Sequence, residues 1–273
     1  MSAKIVMVAS GKGGTGKSTL SVLLGARLAA AGEKVLLIEL DSGLRSVDII
    51  SGVYGKTVYD IADVLSGRCE GAKAVVESPI YPRLSVISAP YEWGGTVQPA
   101  ALKALLDKLS PFFDRVLVDT AAGLGAPFKA ALTVSETVLL VLTPDPVTLR
   151  DGHIAADEAF AAGAKQVRLV LNRVGPASFG GAVRDLDECI DTVAAQLIAV
   201  VPESSQLQAC AAKGQPLPAD CLAFRAVDNL ARRLLGPRVP LAVWGCADAV
   251  FRAYPYYEYR IQTDKIVGKQ SRG

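Results

Sequence analysis

The stretch Gly11-Lys12-Gly13-Gly14-Thr15-Gly16-Lys17-Ser18 decides how this chain is read. It satisfies the pattern GxxxxGK[ST], follows an apolar run from Ile5 to Ala9, and opens an Ala- and Leu-rich segment from Lys17 to Ala31. Strand, glycine-rich turn and helix in that order make a phosphate-binding loop. The glycines let backbone N–H groups face phosphate oxygens without a Cβ in the way, and the N-terminus of the following helix adds its dipole. Gly11, Lys12, Gly13, Gly14, Thr15, Gly16, Lys17, Ser18 and Thr19 are therefore the expected nucleotide cradle. Lys17 is placed to reach the β- and γ-phosphates, and the Ser18 hydroxyl to ligate Mg²⁺.

The same alternation continues outward from the loop. Apolar runs rich in Val, Leu and Ile recur at 35–39, 84–88, 115–119, 137–143, 167–172 and 197–201. Helix-compatible stretches lie between or after them, at Pro99–Leu109, Leu149–Ala162, Ala182–Gln196 and Ala223–Leu235. Strands alternating with helices at this spacing predict an α/β fold, a doubly wound, mostly parallel sheet flanked by helices. The composition agrees. Of 273 residues, 51% are hydrophobic and 21% charged, which excludes intrinsic disorder. No stretch reaches the ~18 consecutive apolar residues of a membrane span. The domain is expected over 1–236, and a tail broken by Pro237, Pro240 and Pro255 over 237–273.

Charge and cysteine usage narrow the function. Lys and Arg total 29 against 27 Asp and Glu, a net charge of +2, which speaks against nucleic acid as a partner. Five scattered cysteines without a CxxC exclude a disulfide framework or a zinc site, and point to a reducing cytosol. The run Ile5 to Ala9 is too short for a signal-peptide core, so a cytoplasmic location is expected.

Carboxylates close two of the apolar runs. Asp119 ends RVLVD, and a hydrophobic strand that delivers a carboxylate beside the phosphate loop holds Mg²⁺, commonly through water. Glu39 and Asp41 close VLLIELD at the edge where α/β sheets place ligands, although a turn or capping aspartate fits the same position. Asn172 and Arg173 follow one strand, and Pro202 and Glu203 another; by pattern alone these are ordinary strand-to-loop residues. His153, the one histidine, falls on a helix surface, and no catalytic histidine scheme is available.

KGGTGKST resembles the deviant Walker A motif of the MinD/ParA family of P-loop ATPases. GLRSVDII (43–50), VYDIADVLSGRC (58–69), TPDPVTLRDGHIAAD (143–157), LVLNRV (169–174) and VPESSQLQACAAKGQPL (201–217) bring it nearest the MinD branch. The resemblance implies ATP and Mg²⁺ as cofactors, and an ATP-dependent homodimer in which Lys12 crosses to the partner's nucleotide. It makes Asp41 the residue that orients the attacking water and puts it near the metal with Ser18 and Asp119. It sets Asn172, Arg173, Pro202 and Glu203 around the adenine. Glu39 departs from the aspartate usual at its position.

The implied function is an ATP-hydrolysing switch, slow without a partner, in division-site placement at the cytoplasmic membrane. Activator and division-inhibitor proteins are the implied partners, together with a membrane surface. A flagellar-number or ParA-like positioning ATPase is the alternative, and a metallocluster carrier on the same fold a weaker one, since no cysteine lies between Cys69 and Cys189. The family usually ends in a basic amphipathic helix. Here Leu241, Trp244, Ala247 and Phe251 form only a faint apolar stripe with few basic residues opposite, so a membrane-binding tail and recruitment by a partner both stay open.

Overall fold

A computed structural model of the chain describes residues 3–93 and 96–242. Each apolar run in the sequence becomes a strand whose middle is buried on both faces, as a sheet covered by helices on two sides requires. The strands are β1 (Lys4–Ala9), β2 (Val35–Glu39), β3 (Val76–Glu77), β4 (Leu84–Ile87), β5 (Arg115–Asp119), β6 (Thr137–Leu142), β7 (Gln166–Val174) and β8 (Gln196–Pro202). They form one eight-stranded sheet in the order β3-β4-β2-β5-β1-β6-β7-β8. Every pairing is parallel except β3 with β4. The two-residue β3 is absent from the sequence reading because so short a segment shows no periodicity.

Helices α1 (Lys17–Ala30), α2 (Ser46–Ser51), α9 (Ser205–Ala212) and α10 (Leu222–Leu235) cover one face. The other face carries α5 (Pro99–Leu109), α6 (Ala126–Leu132), α7 (Pro146–Ala161) and α8 (Leu186–Val193), with the short α3 (Ile61–Leu65) and α4 (Gly71–Ala74) packed beside α5. Strand residues alternate between the two cores. Val116 and Val118 pack with Leu102, Leu106 and Phe128, while Leu117 between them packs with Leu24, Leu28 and Leu84.

Caps explain where the helices depart from the expected spans. The helix expected from Leu149 starts at Pro146, because the Asp145 side chain accepts the Thr148 N–H and proline suits the first turn. The helix expected over 182–196 contracts to α8, opened by Asp185 accepting from the Glu188 N–H and closed by Ala194 at φ 55°. Of the tail expected over 237–273, residues 237–242 are described, and the stripe through Trp244 and Phe251 lies outside the described residues. Among the described residues no helix is long and apolar enough to cross a membrane.

Parallel pairing sends the C-terminal ends of β1, β2, β5, β6, β7 and β8 to one edge of the sheet, where α/β folds bind ligands. There α7 passes against the start of the glycine loop. A Cβ built on Gly11 would stand 2.5 Å from the Asp151 Cβ and 2.9 Å from its backbone carbon. Backbone cannot rotate away as a side-chain tip can. Gly11→Ala is therefore expected to destabilise the nucleotide-free protein by about 1–3 kcal/mol. Denaturant unfolding measures this, and an unchanged midpoint would mean that loop and helix are not in contact.

Candidate functional site

The glycine loop between β1 and α1 takes the shape its sequence anticipates. Gly14 and Gly16 sit at φ 82° and 86°, the left-handed region that glycine enters without a Cβ penalty, and Gly16 stands at the N-cap of α1. Ser10 Oγ donates to the Lys12 carbonyl at 2.9 Å and closes the loop's entrance. Thr15 is buried with its hydroxyl unpartnered, a polar group beneath the turn that lacks a hydrogen bond from the protein.

Lys17 opens α1 and lies only 6% exposed. Its amine is 3.2 Å from Asp119 Oδ1 and 3.5 Å from Asp41 Oδ2. Asp119 ends β5 directly beside β1 and is fully buried. Oδ1 also accepts from Ser21 at 3.1 Å, and the Ser18 side chain stands close enough to favour the charged carboxylate. Oδ2 has no partner. Burial pushes the Asp119 carboxyl up from its ordinary value, and Lys17, Ser18 and Ser21 pull it back. A buried carboxylate oxygen left open beside a serine hydroxyl is a donor set that suits a hard cation such as Mg²⁺. Asp41, on the loop after β2, keeps a side chain 41% exposed, so its carboxylate faces both Lys17 and solvent. Ser21 escaped the sequence reading, although its position one turn after Lys17 puts it on the same helix face.

Lys12 is exposed on the loop's outer side. It lies within electrostatic reach of Asp145. Burial raises that carboxyl, but hydrogen bonds from Thr143 and Thr148, with the charge of Lys12, hold it below the usual carboxylate range. The expected base contacts come together. Asn172, Arg173, Pro202 and Glu203 line one cleft of about 210 Å³ with Gly16 and Thr19. Asn172 also braces the loop, its Nδ2 donating to the Thr15 carbonyl at 2.7 Å. Asn172 and Arg173 do not follow the strand but lie within β7, where Arg173 takes a left-handed φ of 56° at the register shift between Leu171 and Val174 against β8. His153 stands on the surface of α7 beside Asp157, away from these groups.

Glu39 plays a different part from that of a metal ligand. It is buried at the end of β2, in register with Asp119, and accepts weakly from the Val47 N–H at 3.5 Å and the Ala89 N–H at 3.3 Å. The longer side chain ties β2 to α2 and to the segment after β4. Beyond it, Asp48 pairs with Arg45 at 2.6 Å and accepts from Ser88, while Arg45 stacks on Tyr91 at 4.7 Å. Burial, then the carboxylates of Asp119 and Asp48, push Glu39 up to about 8, against the pull of the two backbone N–H groups. Between its unfolded value near 4.5 and about 8, the native side chain keeps a proton that the unfolded chain has released. Stability of the nucleotide-free protein thus falls as pH rises through that window and levels off above it. Glu39→Gln is expected to flatten this part of the slope and to leave the protein more stable than its parent at pH 8. Unfolding midpoints from pH 5 to 9 check it, and parallel curves would contradict it.

The chain is similar to known proteins over most of its length. A family model described as an AAA domain matches residues 3–153. The septum site-determining protein MinD of Thermotoga maritima is 32% identical over 243 residues, covering 87% of this chain and 90% of that protein. In a solved MinC:MinD cell division complex from Aquifex aeolicus, the matching chain is 30% identical and covers 89% of this chain and 100% of its own, with a TM-score of 0.82. MinD of Pyrococcus horikoshii, solved with Mg-ADP, is 24% identical, covers 85% of this chain and 96% of its own, and shares the fold at a TM-score of 0.77. Loop, strand order and extent of match agree, and the chain belongs to the MinD family of P-loop ATPases.

Proposed function

We propose that this chain is an ATP-hydrolysing dimerisation switch acting in division-site placement at the cytoplasmic membrane. What carries the proposal is the meeting of Lys17, Ser18 and Asp119 beneath the glycine loop, with one carboxylate oxygen of Asp119 open. Ser18 and Asp119 are the residues that would hold Mg²⁺, which, when bound, neutralises charge on the β- and γ-phosphates. The loop's N–H groups and Lys17 bind and orient the phosphates, the amine moving from its carboxylate neighbours to a more strongly charged anion. Asn172, Arg173, Pro202 and Glu203 receive the adenine. Asp41 positions the water that attacks the γ-phosphate, and Lys12 reaches from one protomer to stabilise charge on the partner's nucleotide.

A switch of this kind needs a long-lived ATP state, so slow turnover alone and acceleration by an activator belong to the same proposal. The MinC bound in the Aquifex aeolicus relative suggests a division inhibitor as a second partner. Residues 1–236 are the ATPase unit, and 237–273 are assigned contact with the membrane or a recruiting partner. Lys12→Ala is expected to stay monomeric with ATP in sedimentation experiments, where the parent dimerises; an unchanged dimer would remove the trans role of Lys12. Asp41→Ala should retain ADP binding but lose on the order of 10²-fold or more in turnover, the usual scale for a positioned proton-transfer group. Liposome co-sedimentation with ATP and with ADP, full chain against a truncation after Gly236, assigns the membrane contact.

A further inference from the structure

A second cavity, of about 440 Å³, lies on the far side of α1 from the phosphate loop. That volume falls within the ~300–1,000 Å³ of small-molecule sites. Its walls are the C-terminal half of α1, the turn Tyr81–Arg83 before β4, the segment Pro216–Leu217 and α10. The lining is hydrocarbon and aromatic, chiefly Leu23, Ala26, Leu217, Phe224 and Val227. Two guanidinium groups edge it and differ in one respect. Arg27 is neutralised by Asp228 at 2.7 Å and stacks over Phe224 at 4.5 Å. Arg83 donates only to the carbonyls of Gly32 and Glu33, and no carboxylate among the described residues pairs with it. It is exposed and held at φ 69°, uncommon for a residue with a side chain.

Tyr81 adds a second polar feature. Its hydroxyl is shut off from solvent with no hydrogen bond among the described residues, and burial pushes the phenol up to about 12, so it stays a donor. An unsatisfied buried donor is costly, and a ligand oxygen that parts Tyr81 from its neighbours recovers that cost. The described residues after α10 run away from the cavity. Arg233 draws the backbone of Val239 and Pro240 toward the β8 edge, and Leu241 packs into the core on the opposite face of the sheet.

We infer that this cavity is a second ligand site, for an amphipathic carboxylate whose alkyl or aryl body fills the apolar pocket and whose head group pairs with Arg83. One uncompensated cation at the mouth of an apolar pocket selects one anion on an apolar body. The site shares Leu23 with the nucleotide cleft and is otherwise separate from it.

Sodium decanoate is the probe, titrated calorimetrically against the full nucleotide-free chain, with 1-decanol as the uncharged control. Saturable 1:1 binding below 1 mM is expected, at least about ten-fold tighter than decanol, the scale of one charge-assisted hydrogen bond. Arg83→Gln should bring decanoate to the decanol level. Ala30→Trp, at the exposed end of α1, should block the mouth without disturbing the core. Saturating ADP should leave decanoate bound. No saturable binding, binding indifferent to either substitution, or displacement by ADP would each overturn the site.

Discussion

The buried contact between Lys17 and Asp119 is the constraint on which the rest of this molecule depends. An ammonium 6% exposed and a carboxylate with no exposure each cost too much alone; together they are tolerable because each compensates the other. The contact exists only because β5 runs parallel beside β1, so that the last residue of one strand stands next to the loop leaving the other. Ser21 and Ser18, one turn apart at the start of α1, supply the remaining polar contacts. The loop is thus drawn toward the sheet before any phosphate arrives. Among the described residues Asp119 Oδ2 and the Thr15 hydroxyl remain unsatisfied, two polar groups the protein itself does not partner.

Glu39 follows from the same arrangement. A third carboxylate in register with Asp119 cannot share that pocket as a charge, so burial and its acidic neighbours favour the protonated form. Its extra methylene carries it to the amides of Val47 and Ala89, where it works as a brace. Through that brace, and through the Arg45–Asp48 pair behind it, the segment bearing Asp41 is anchored to β2 and to the end of β4. A shorter aspartate at this position would have less reach toward those amides.

Helix α1 consequently has two working surfaces. Its N-terminal turn faces the phosphate loop and the cleft lined by Asn172 and Arg173, and its C-terminal half walls the apolar cavity that Arg83 overlooks. The helix is buried along most of its length, so both surfaces are fixed by the same packing against β1, β2, β4, β5 and α10. Leu23 touches both clefts because residues a helical turn apart from Leu20 and Thr19 stay on one side of the helix.

How much of this was legible in the sequence varied with the range of the interaction involved. The glycine loop, seven of the strands, the strand-end carboxylates and five of the helices could be read because local pattern determines them: continuous apolar runs, backbone freedom at glycine, and helix-compatible stretches between or after the runs. Family resemblance added Lys12, Asp41 and the residues expected around the adenine, and the fold places Asn172, Arg173, Pro202 and Glu203 along one cleft. The two-residue β3 and the short α2, α3, α4, α6 and α9 were not legible, since segments of two to eight residues carry little periodicity, and the role of Ser21 was not, since its partner Asp119 lies far along the chain. The sequence by itself determined a phosphate-binding loop on a parallel α/β sheet, and which carboxylates end its strands. Only the tertiary structure decided that Glu39 braces and that, among the described residues, Asp119 has one oxygen free and Arg83 overlooks an apolar cavity with no carboxylate beside it. Those outcomes turn on strand register and burial across residues far apart in sequence, which no local pattern encodes.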